Sequence, residues 1–316
     1  MKCIFFTLLL FSTSLIFSQE KFSKEILLTS ENDLYVSTSK DRYYTNGFFI
    51  SYRHLSNKKK ESIIKKIYSW EIGHKMYTPF NAVVGSIIEH DRPFAGHLYA
   101  GFGISNSYKN NQILKINFQL GVLGENAMAK NLQEFIHEIY GFKKAIGWEY
   151  QIENALAINF KLNYYKPLYT SKNNIFDVTN TNYLNIGTVH TNIASGLIAR
   201  IGFKPLQKNI NSVSFNTNLN NKQSDYYNNL ESFFYVKPML QFTCYDATIQ
   251  GSFLNKNSSV TNEINPFIFN LEMGVKHTIN RFILGYSFLY NTNKSKNLRM
   301  NNGHSYGQIS FNYLLR

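Results

Sequence analysis

The chain has 316 residues, two cysteines and a formal net charge of +13 at pH 7. This length allows one large domain or two small ones. Aromatic residues make up 16% of the chain, with 26 Phe and 22 Tyr, although hydrophobic residues total only 44%. Such a high aromatic share is unusual for a soluble globular protein and argues against that class.

Residues 1–20 are predicted to be a targeting segment rather than part of the fold. A positively charged start precedes an apolar run that ends at Phe17, and Gln19 opens the polar sequence. This pattern is typical of a secretory signal peptide, and the run is too short to span a membrane. We predict a signal peptide over residues 1–18 and a single domain over residues 19–316. The alternative is a retained N-terminal anchor.

Export restricts the chemistry of the mature chain. Cys3 leaves with the signal peptide, so Cys244 alone can form neither an intramolecular disulfide nor a cysteine metal cluster. Nucleic acid is the usual partner of a strongly basic chain, but an exported protein seldom meets it, and anionic lipid headgroups suit the charge better. The basic run of residues 58–60, with Lys65 and Lys66, predicts a solvated loop or turn; phosphate binding is the alternative.

Alternation of apolar and polar residues recurs along the chain and predicts strands. The clearest strand covers residues 114–122, in which Lys115, Asn117 and Gln119 occupy the alternate positions. The same alternation predicts strands around Leu28, Ile50, Trp70, Phe102, Phe160, Val236, Met273, Tyr286 and Phe311. Strands of about 9–12 residues with one apolar face fit a tilted membrane strand better than the shorter strands of a sandwich.

The sequence therefore predicts an all-β fold, namely a transmembrane antiparallel β-barrel of about twelve strands with a short helix in an extracellular loop. Polar residues such as Lys115 and Asn270 are expected to face a wet interior. Residues 178–230 are hard to divide, which leaves the strand number open by about two. The competing fold is a secreted β-sandwich.

One stretch departs from the strand pattern. Apolar residues at spacings of three and four predict a helix over residues 127–140. Gln133 and His137 are four residues apart, so their side chains lie on one face of that helix. A loop helix that presents Gln and His among strands is a candidate site, although a histidine at the surface or boundary of a helix is the ordinary alternative.

Two further clusters carry polar side chains. Asn32 and Asp33 end the first predicted strand, and Thr45 follows in a Tyr-Thr-Asn-Gly run. Their oxygens suit Ca²⁺, although Asn-Asp and Asn-Gly are also common in turns. Residues 90–96, His-Asp-Arg-Pro-Phe-Ala-Gly, predict a structural turn in which Asp and Arg could pair. If Asp33 met His137 at a barrel mouth, the histidine could take a proton from water while a cation stabilised the oxyanion.

Taken together, these runs resemble the outer-membrane lipid A 3′-O-deacylase family over the whole mature chain. The segments that carry the resemblance are Asn32-Asp33, Tyr44-Thr45-Asn46-Gly47, Tyr77-Thr78-Pro79, Asp91-Arg92-Pro93-Phe94-Ala95-Gly96, Gly121-Val122-Leu123-Gly124, Gln133 with His137, and Trp148 with Gln151-Ile152-Glu153-Asn154. Each segment is weak by itself, and their occurrence in this order makes the match specific.

The resemblance implies a twelve-stranded barrel whose active site lies near the outer rim beside a loop helix. It also implies Ca²⁺-dependent hydrolysis of the ester that holds the 3′-linked acyl (acyloxyacyl) chain of lipid A. By position, His137 corresponds to the general base, while Asn32, Asp33 and Thr45 form the cluster that holds the cation or the base. Gln133 lines the same site. We expect a monomer in the outer membrane of a Gram-negative bacterium, with lipopolysaccharide and not nucleic acid as its partner.

The sequence departs from the family pattern at two positions. The acidic residue expected six positions after the histidine is replaced by Lys143, and Glu138 and Glu149 are candidates to take its place, although neither spacing matches. A lysine expected after Tyr-Thr-Pro has no counterpart near residues 81–85. Two other functions therefore stay open at this point: a calcium-dependent phospholipase that uses the same side chains, and a non-catalytic barrel.

Overall fold

The computed structural model describes residues 21–36, 42–57, 61–221 and 230–316. The predicted signal peptide lies outside these ranges, as do residues 58–60 of the basic run. Lys65 and Lys66 lie within a strand, so the loop predicted for them is wrong. Within the described ranges, no helix has the length and apolar character needed to cross a bilayer.

Twelve antiparallel strands form a closed barrel in which each strand pairs with its neighbours in the chain and the first pairs with the last. The strands are β1 (Lys24–Asn32), β2 (Tyr43–Leu55), β3 (Ile63–Thr78), β4 (Ala95–Tyr108), β5 (Ile113–Leu123), β6 (Ala155–Thr170), β7 (Phe176–Gly187), β8 (His190–Gly202), β9 (Ser232–Asp246), β10 (Phe267–Ile279), β11 (Phe282–Asn291) and β12 (His304–Leu315). In the described ranges, two α-helices, α1 (Ala129–Tyr140) and α2 (Ala247–Gln250), lie in connections. The predicted barrel is confirmed, and the sandwich is excluded.

The alternation of side chains along each strand separates a lipid-facing surface from an interior. In β2, Phe48 and Ile50 are exposed on the outer surface, whereas Ser51 and Arg53 are buried inside. The predicted polar interior is also found, because Lys115 of β5 points inward and its Nζ donates to the carbonyl oxygen of Phe215 at 2.5 Å.

Residues 206–221 of the connection between β8 and β9 fill the interior at the end where β1 begins and β12 ends. Val213, Phe215 and Leu219 of this connection are buried in the barrel. Lys65 anchors it from β3, since its Nζ donates to the carbonyl oxygens of Ile210 at 2.8 Å and Thr217 at 2.7 Å. The basic residue predicted to be solvated therefore binds main-chain carbonyl groups inside the barrel.

Arg200 of β8 holds the ends of this connection together. Its guanidinium is fully buried and forms ion pairs with Asp177 at 2.5 Å and Glu231 at 3.3 Å. Glu231 also accepts hydrogen bonds from Ser212 Oγ. Burial raises the pKa of Glu231, and the neighbouring Arg200 opposes that rise. The carboxylate thus depends on the arginine for compensation.

We expect Arg200→Met to destabilise the protein by about 3–5 kcal/mol, because it leaves Asp177 and Glu231 buried without their cation. Urea unfolding of the detergent-solubilised protein measures the loss. Lys296→Met is the matched control, since its ion pair with Glu263 is exposed and we expect a loss of about 0–1 kcal/mol. Equal losses in the two variants would contradict the assignment of Arg200 as a buried anchor.

Candidate active site

Helix α1 lies in the connection between β5 and β6 and is bounded by two left-handed residues. Met128 has φ 57° and precedes the first helical residue, so the helix starts two residues later than predicted. Gly141 has φ 69°, a conformation in which glycine avoids a Cβ clash, and the N–H of Phe142 donates to the His137 carbonyl at 2.8 Å. The helix thus ends in a fixed turn three residues after His137.

Helix α1 packs against the outer surface of the barrel. Asn32, Asn46, Met76 and Gly96 lie opposite one another across β1 to β4. This row faces outward, because the lipid-facing Phe48 is two residues from Asn46 on the same strand. A Cβ on Gly96 would lie only 2.7 Å from the Cβ of Ala129. The absence of a side chain at Gly96 therefore lets the helix contact the wall.

Apolar contacts at Met76 connect the helix to the barrel wall. Met76 belongs to a buried cluster with Phe94, Ala129 and Trp148, against which Leu132 also packs. The indole Nε1 of Trp148 donates to the side-chain oxygen of Gln133 at 2.7 Å, and Gln133 is fully buried. This bond fixes the orientation of the Gln133 amide group.

His137 lies one turn after Gln133 and is 6% exposed. Its Nδ1 lies 2.6 Å from the main-chain carbonyl oxygen of Lys143, and its ring contacts the edge of Phe142. A carbonyl oxygen can only accept, so Nδ1 carries the proton and Nε2 has the basic lone pair. The family pattern has an acidic residue at position 143. In this chain the main-chain carbonyl of Lys143 orients the histidine, and the lysine side chain is exposed.

Asn32 and Asp33 mark the end of β1. The side-chain oxygen of Asn32 accepts from the N–H of Leu34 at 2.7 Å, and its nitrogen donates to the side-chain oxygen of Asn46 at 2.6 Å. Asp33 is buried, and its Oδ2 accepts from the N–H of Arg42 at 2.7 Å. The predicted turn chemistry is therefore present, and Asp33 directly follows Asn32, which belongs to the outward-facing row.

A β-bulge places Thr45 on the same outer surface. The register of β2 against β3 shifts between Tyr44 and Asn46, so Thr45 is the additional residue. Tyr44 faces inward and donates to Glu31, whereas the Oγ of Thr45 lies 2.7 Å from the Oγ of Thr78, which follows the inward-facing Tyr77. Both threonines are fully buried.

The donor set in this region is rich in oxygen. It comprises the Asp33 carboxylate, the Asn32 and Asn46 amide oxygens and the hydroxyls of Thr45 and Thr78. Among the described residues, no group of three or more His, Cys, Asp or Glu side chains could hold a metal. Carboxylate, amide and hydroxyl oxygens are ligands that Ca²⁺ takes and that suit Zn²⁺ poorly. The chemistry of these residues therefore suits a hard cation such as Ca²⁺.

The turn at residues 90–96 has a structural role, as predicted, although Asp91 and Arg92 make their close contacts elsewhere. Asp91 accepts hydrogen bonds from the Tyr43 hydroxyl at 2.9 Å and from the N–H groups of Phe80 at 2.9 Å and Arg299 at 3.1 Å. It thereby joins the β3–β4 connection to the start of β2 and to the β11–β12 connection.

The structure divides the predicted site residues into two groups. Asn32, Asp33 and Thr45 lie at the ends of β1 and β2, while Gln133 and His137 lie on the helix. Both groups adjoin Met76, which is the cross-strand neighbour of Asn46 and a contact of α1. Thr78 was indicated only by its Tyr-Thr-Pro segment, and nothing in the sequence indicated the carbonyl group of Lys143.

We expect Gly96→Ala to displace α1, because the new methyl group would overlap Ala129 and such overpacking costs about 1–3 kcal/mol. In a Trp70→Phe background, Trp148 is the remaining tryptophan, and its emission should shift to the red as the helix moves away. Gly101→Ala on the same strand is the control, since its nearest neighbours lie at 3.5 Å. Unchanged emission in Gly96→Ala would refute this packing.

Comparisons with known proteins bear on the family and the fold. A family model described as outer membrane protein LpxR matches residues 4–315. The solved structure of LpxR from Salmonella typhimurium has a TM-score of 0.72 and 18% identity, and the match covers 92% of this chain and 99% of that one. The β domain of the Bordetella autotransporter BrkA reaches a TM-score of 0.48 at 9% identity, covering 93% of this chain and 99% of that one. No curated protein matches.

Proposed function

The chain belongs to the LpxR family of outer-membrane proteins, as its motifs predicted, and from this premise we propose that it is a Ca²⁺-dependent esterase. The substrate is lipid A, from which the enzyme removes the 3′-linked acyl (acyloxyacyl) chain, and His137 is the general base. The observation that carries the proposal is the hydrogen bond between His137 Nδ1 and the Lys143 carbonyl. This bond supports the tautomer that a general base requires.

In this mechanism His137 accepts a proton from water at Nε2 as the water attacks the ester carbonyl. The carbonyl group of Lys143 then stabilises the imidazolium through the proton on Nδ1, a role in which other enzymes use a carboxylate. Gln133, whose amide oxygen is held by Trp148, lines the site and can direct its amide N–H toward developing negative charge. The proton accepted by His137 is finally returned to the leaving hydroxyl group.

Asp33, Asn32 and Thr45 are the residues that would hold the calcium ion. When bound, Ca²⁺ would polarise the ester carbonyl and stabilise the tetrahedral oxyanion. Asp33 supplies the negative charge, and its position is fixed by the Arg42 N–H. Asn32 is fixed by its bonds to Leu34 and Asn46. These hydrogen bonds orient the oxygens before any cation arrives, which lowers the cost of binding.

The outer surface of α1 supports a substrate that approaches through the lipid. Phe135 and Ile139 lie one turn apart and are 60% and 62% exposed. A second outward-facing row runs across β2 to β6 and includes the lipid-facing Phe48 and Leu156. It lies two residues along the strands from the row that α1 covers. Two residues span about 7 Å along a strand. The apolar surface of the helix thus continues that of the barrel, and a lipid could reach His137 without leaving the leaflet.

We expect Gram-negative cells that express the wild-type protein to lose one ester-linked acyl chain from lipid A in the presence of Ca²⁺. His137→Ala should leave the lipid A mass unchanged, as should a calcium chelator with the wild type. Lys143→Ala is the matched control, because only its main-chain carbonyl contacts the histidine and activity should stay within about threefold. Mass spectrometry of lipid A measures all four samples.

Other outcomes would select a different function. Fatty acid release from phosphatidylethanolamine, with lipid A unchanged, would indicate a phospholipase that uses the same side chains. An unchanged spectrum from folded, surface-located wild type would indicate a non-catalytic barrel. Loss of activity in Lys143→Ala would show that the lysine side chain takes part, and the proposed role of its carbonyl would then be wrong.

We expect a tryptophan placed at position 135 to contact lipid acyl chains. In a Trp70→Phe background, Phe135→Trp should be quenched by lipids brominated on their acyl chains. Lys130→Trp replaces an exposed polar residue in the first turn of the same helix and should be quenched less than half as strongly. The wild-type Trp70 is 55% exposed on the outer wall and provides the positive control. Equal, weak quenching at both helix positions would place α1 outside the leaflet.

A further inference from the structure

The barrel interior contains a cavity that the proposed esterase site does not use. It has a volume of about 160 Å³, lies at the mouth opposite the β8–β9 connection, and is covered by the connections that carry Arg92, Thr248 and Lys294. Its walls include Lys75 and Tyr77 of β3. These residues alternate with the outward-facing Met76, so the cavity and the candidate active site lie on opposite faces of the same wall.

Positive charge dominates this cavity. Lys75, Arg92, Lys161 and Lys294 line it, and Asp246 is the one carboxylate among its lining residues. Among the residues that the structure describes, no carboxylate forms an ion pair with any of the three lysines. The cavity therefore holds more cations than its own anion can compensate.

The carboxylate of the cavity is already engaged by other donors. Asp246 Oδ1 accepts from the N–H of Thr248 at 2.9 Å and from its hydroxyl at 2.6 Å, and it lies 3.3 Å from His190 Nδ1. The nearest other interior acids are also engaged, since Glu71 accepts from Tyr99 and Ser51, and Glu31 from Tyr44 and Gln308. These carboxylates keep their charge, but among the described residues none of them forms an ion pair with a lysine of the cavity.

Burial makes this concentration of cations costly. Burial, against the opposing effect of Asp246 and with the help of the nearby Lys75 and Arg92, lowers the pKa of Lys294 to about 8. Burial likewise lowers the pKa of Arg92. An anion that entered the cavity would remove this cost, because each cation would then gain a partner in a poorly screened environment.

The shape and donors of the cavity identify the class of anion. The guanidinium of Arg92 is held in place, 4.9 Å from the ring centroid of Tyr77 and donating to the Thr248 carbonyl at 3.0 Å. Asn185 and Thr243 add neutral polar groups to the lining. A space of about 160 Å³ corresponds to on the order of five water molecules, enough for one tetrahedral oxyanion but not for an acyl chain.

We propose that this cavity is a phosphate-binding site, in which Lys161, Lys294 and Lys75 neutralise the oxyanion and Arg92 donates from a fixed position. Phosphate has several oxygens that accept charge-assisted hydrogen bonds from both kinds of cation. The phosphate can be free inorganic phosphate or the phosphate of a lipid headgroup. The site is independent of ester hydrolysis at His137.

Isothermal titration of the full-length protein in detergent with inorganic phosphate, at constant ionic strength and pH 7, tests the site. We expect saturable binding of one phosphate, weakened at least tenfold in Lys161→Met and in Lys294→Met. Lys109→Met, in the exposed turn between β4 and β5, is the matched control and should bind like the wild type. Circular dichroism checks that each variant is folded.

Absence of saturable binding would overturn the proposal, as would wild-type affinity in both cavity variants. A competition arm identifies the source of the phosphate. Displacement of inorganic phosphate by lipid A, but not by dephosphorylated lipid A, would support the site and assign it to a headgroup. If neither lipid competed with inorganic phosphate, the result would support a site for the free ion. Equal competition by both lipids would count against a phosphate site.

Discussion

Closure of the sheet by the pairing of β1 with β12 is the constraint on which the rest of this structure depends. In a bilayer, each backbone N–H and C=O must find a partner within the protein, and an open sheet edge would leave a row of them unsatisfied. Closure removes the edge, and each strand residue then faces either the lipid or the barrel interior. The chemistry of the side chain then has to match the environment that its position dictates.

The same wall carries different chemistry on its two faces. On the outer face, Asn32, Asn46, Met76 and Gly96 form one row beneath a helix, and side chains with oxygen atoms lie at one end of that row. On the inner face, alternate residues of the same strands place lysines around a polar cavity. Because adjacent residues in a strand point to opposite faces, the outward-facing Met76 and its neighbours Lys75 and Tyr77 belong to regions on opposite faces of the wall.

Small departures from regularity create the outer site. The bulge at Thr45 turns one hydroxyl to the outer face while Tyr44 remains inside. The absence of a side chain at Gly96 lets α1 approach, and the left-handed Gly141 ends the helix so that the Lys143 carbonyl reaches His137. The strand pairing around each departure is intact, so each one costs little stability. Together they place the helix face that carries Gln133 and His137 against the outer wall of the barrel.

The sequence alone determined the fold class and the family, because period-two alternation and a helical pattern are local properties of the chain. It also indicated candidate side chains for holding a cation or moving a proton, such as Asp33 and His137, since their residue types restrict that chemistry. Tertiary structure decided the rest. Lys65 was predicted to be solvated, yet it binds the β8–β9 connection, because the partner lies about 150 residues away in sequence.

The role of position 143 also depends on tertiary structure, since a main-chain carbonyl is present in each residue and carries no sequence signal. Cross-strand register likewise decided which residues lie beneath α1 and which line the interior cavity. Register is set by pairing between distant segments, and a shift of one residue would exchange the two faces.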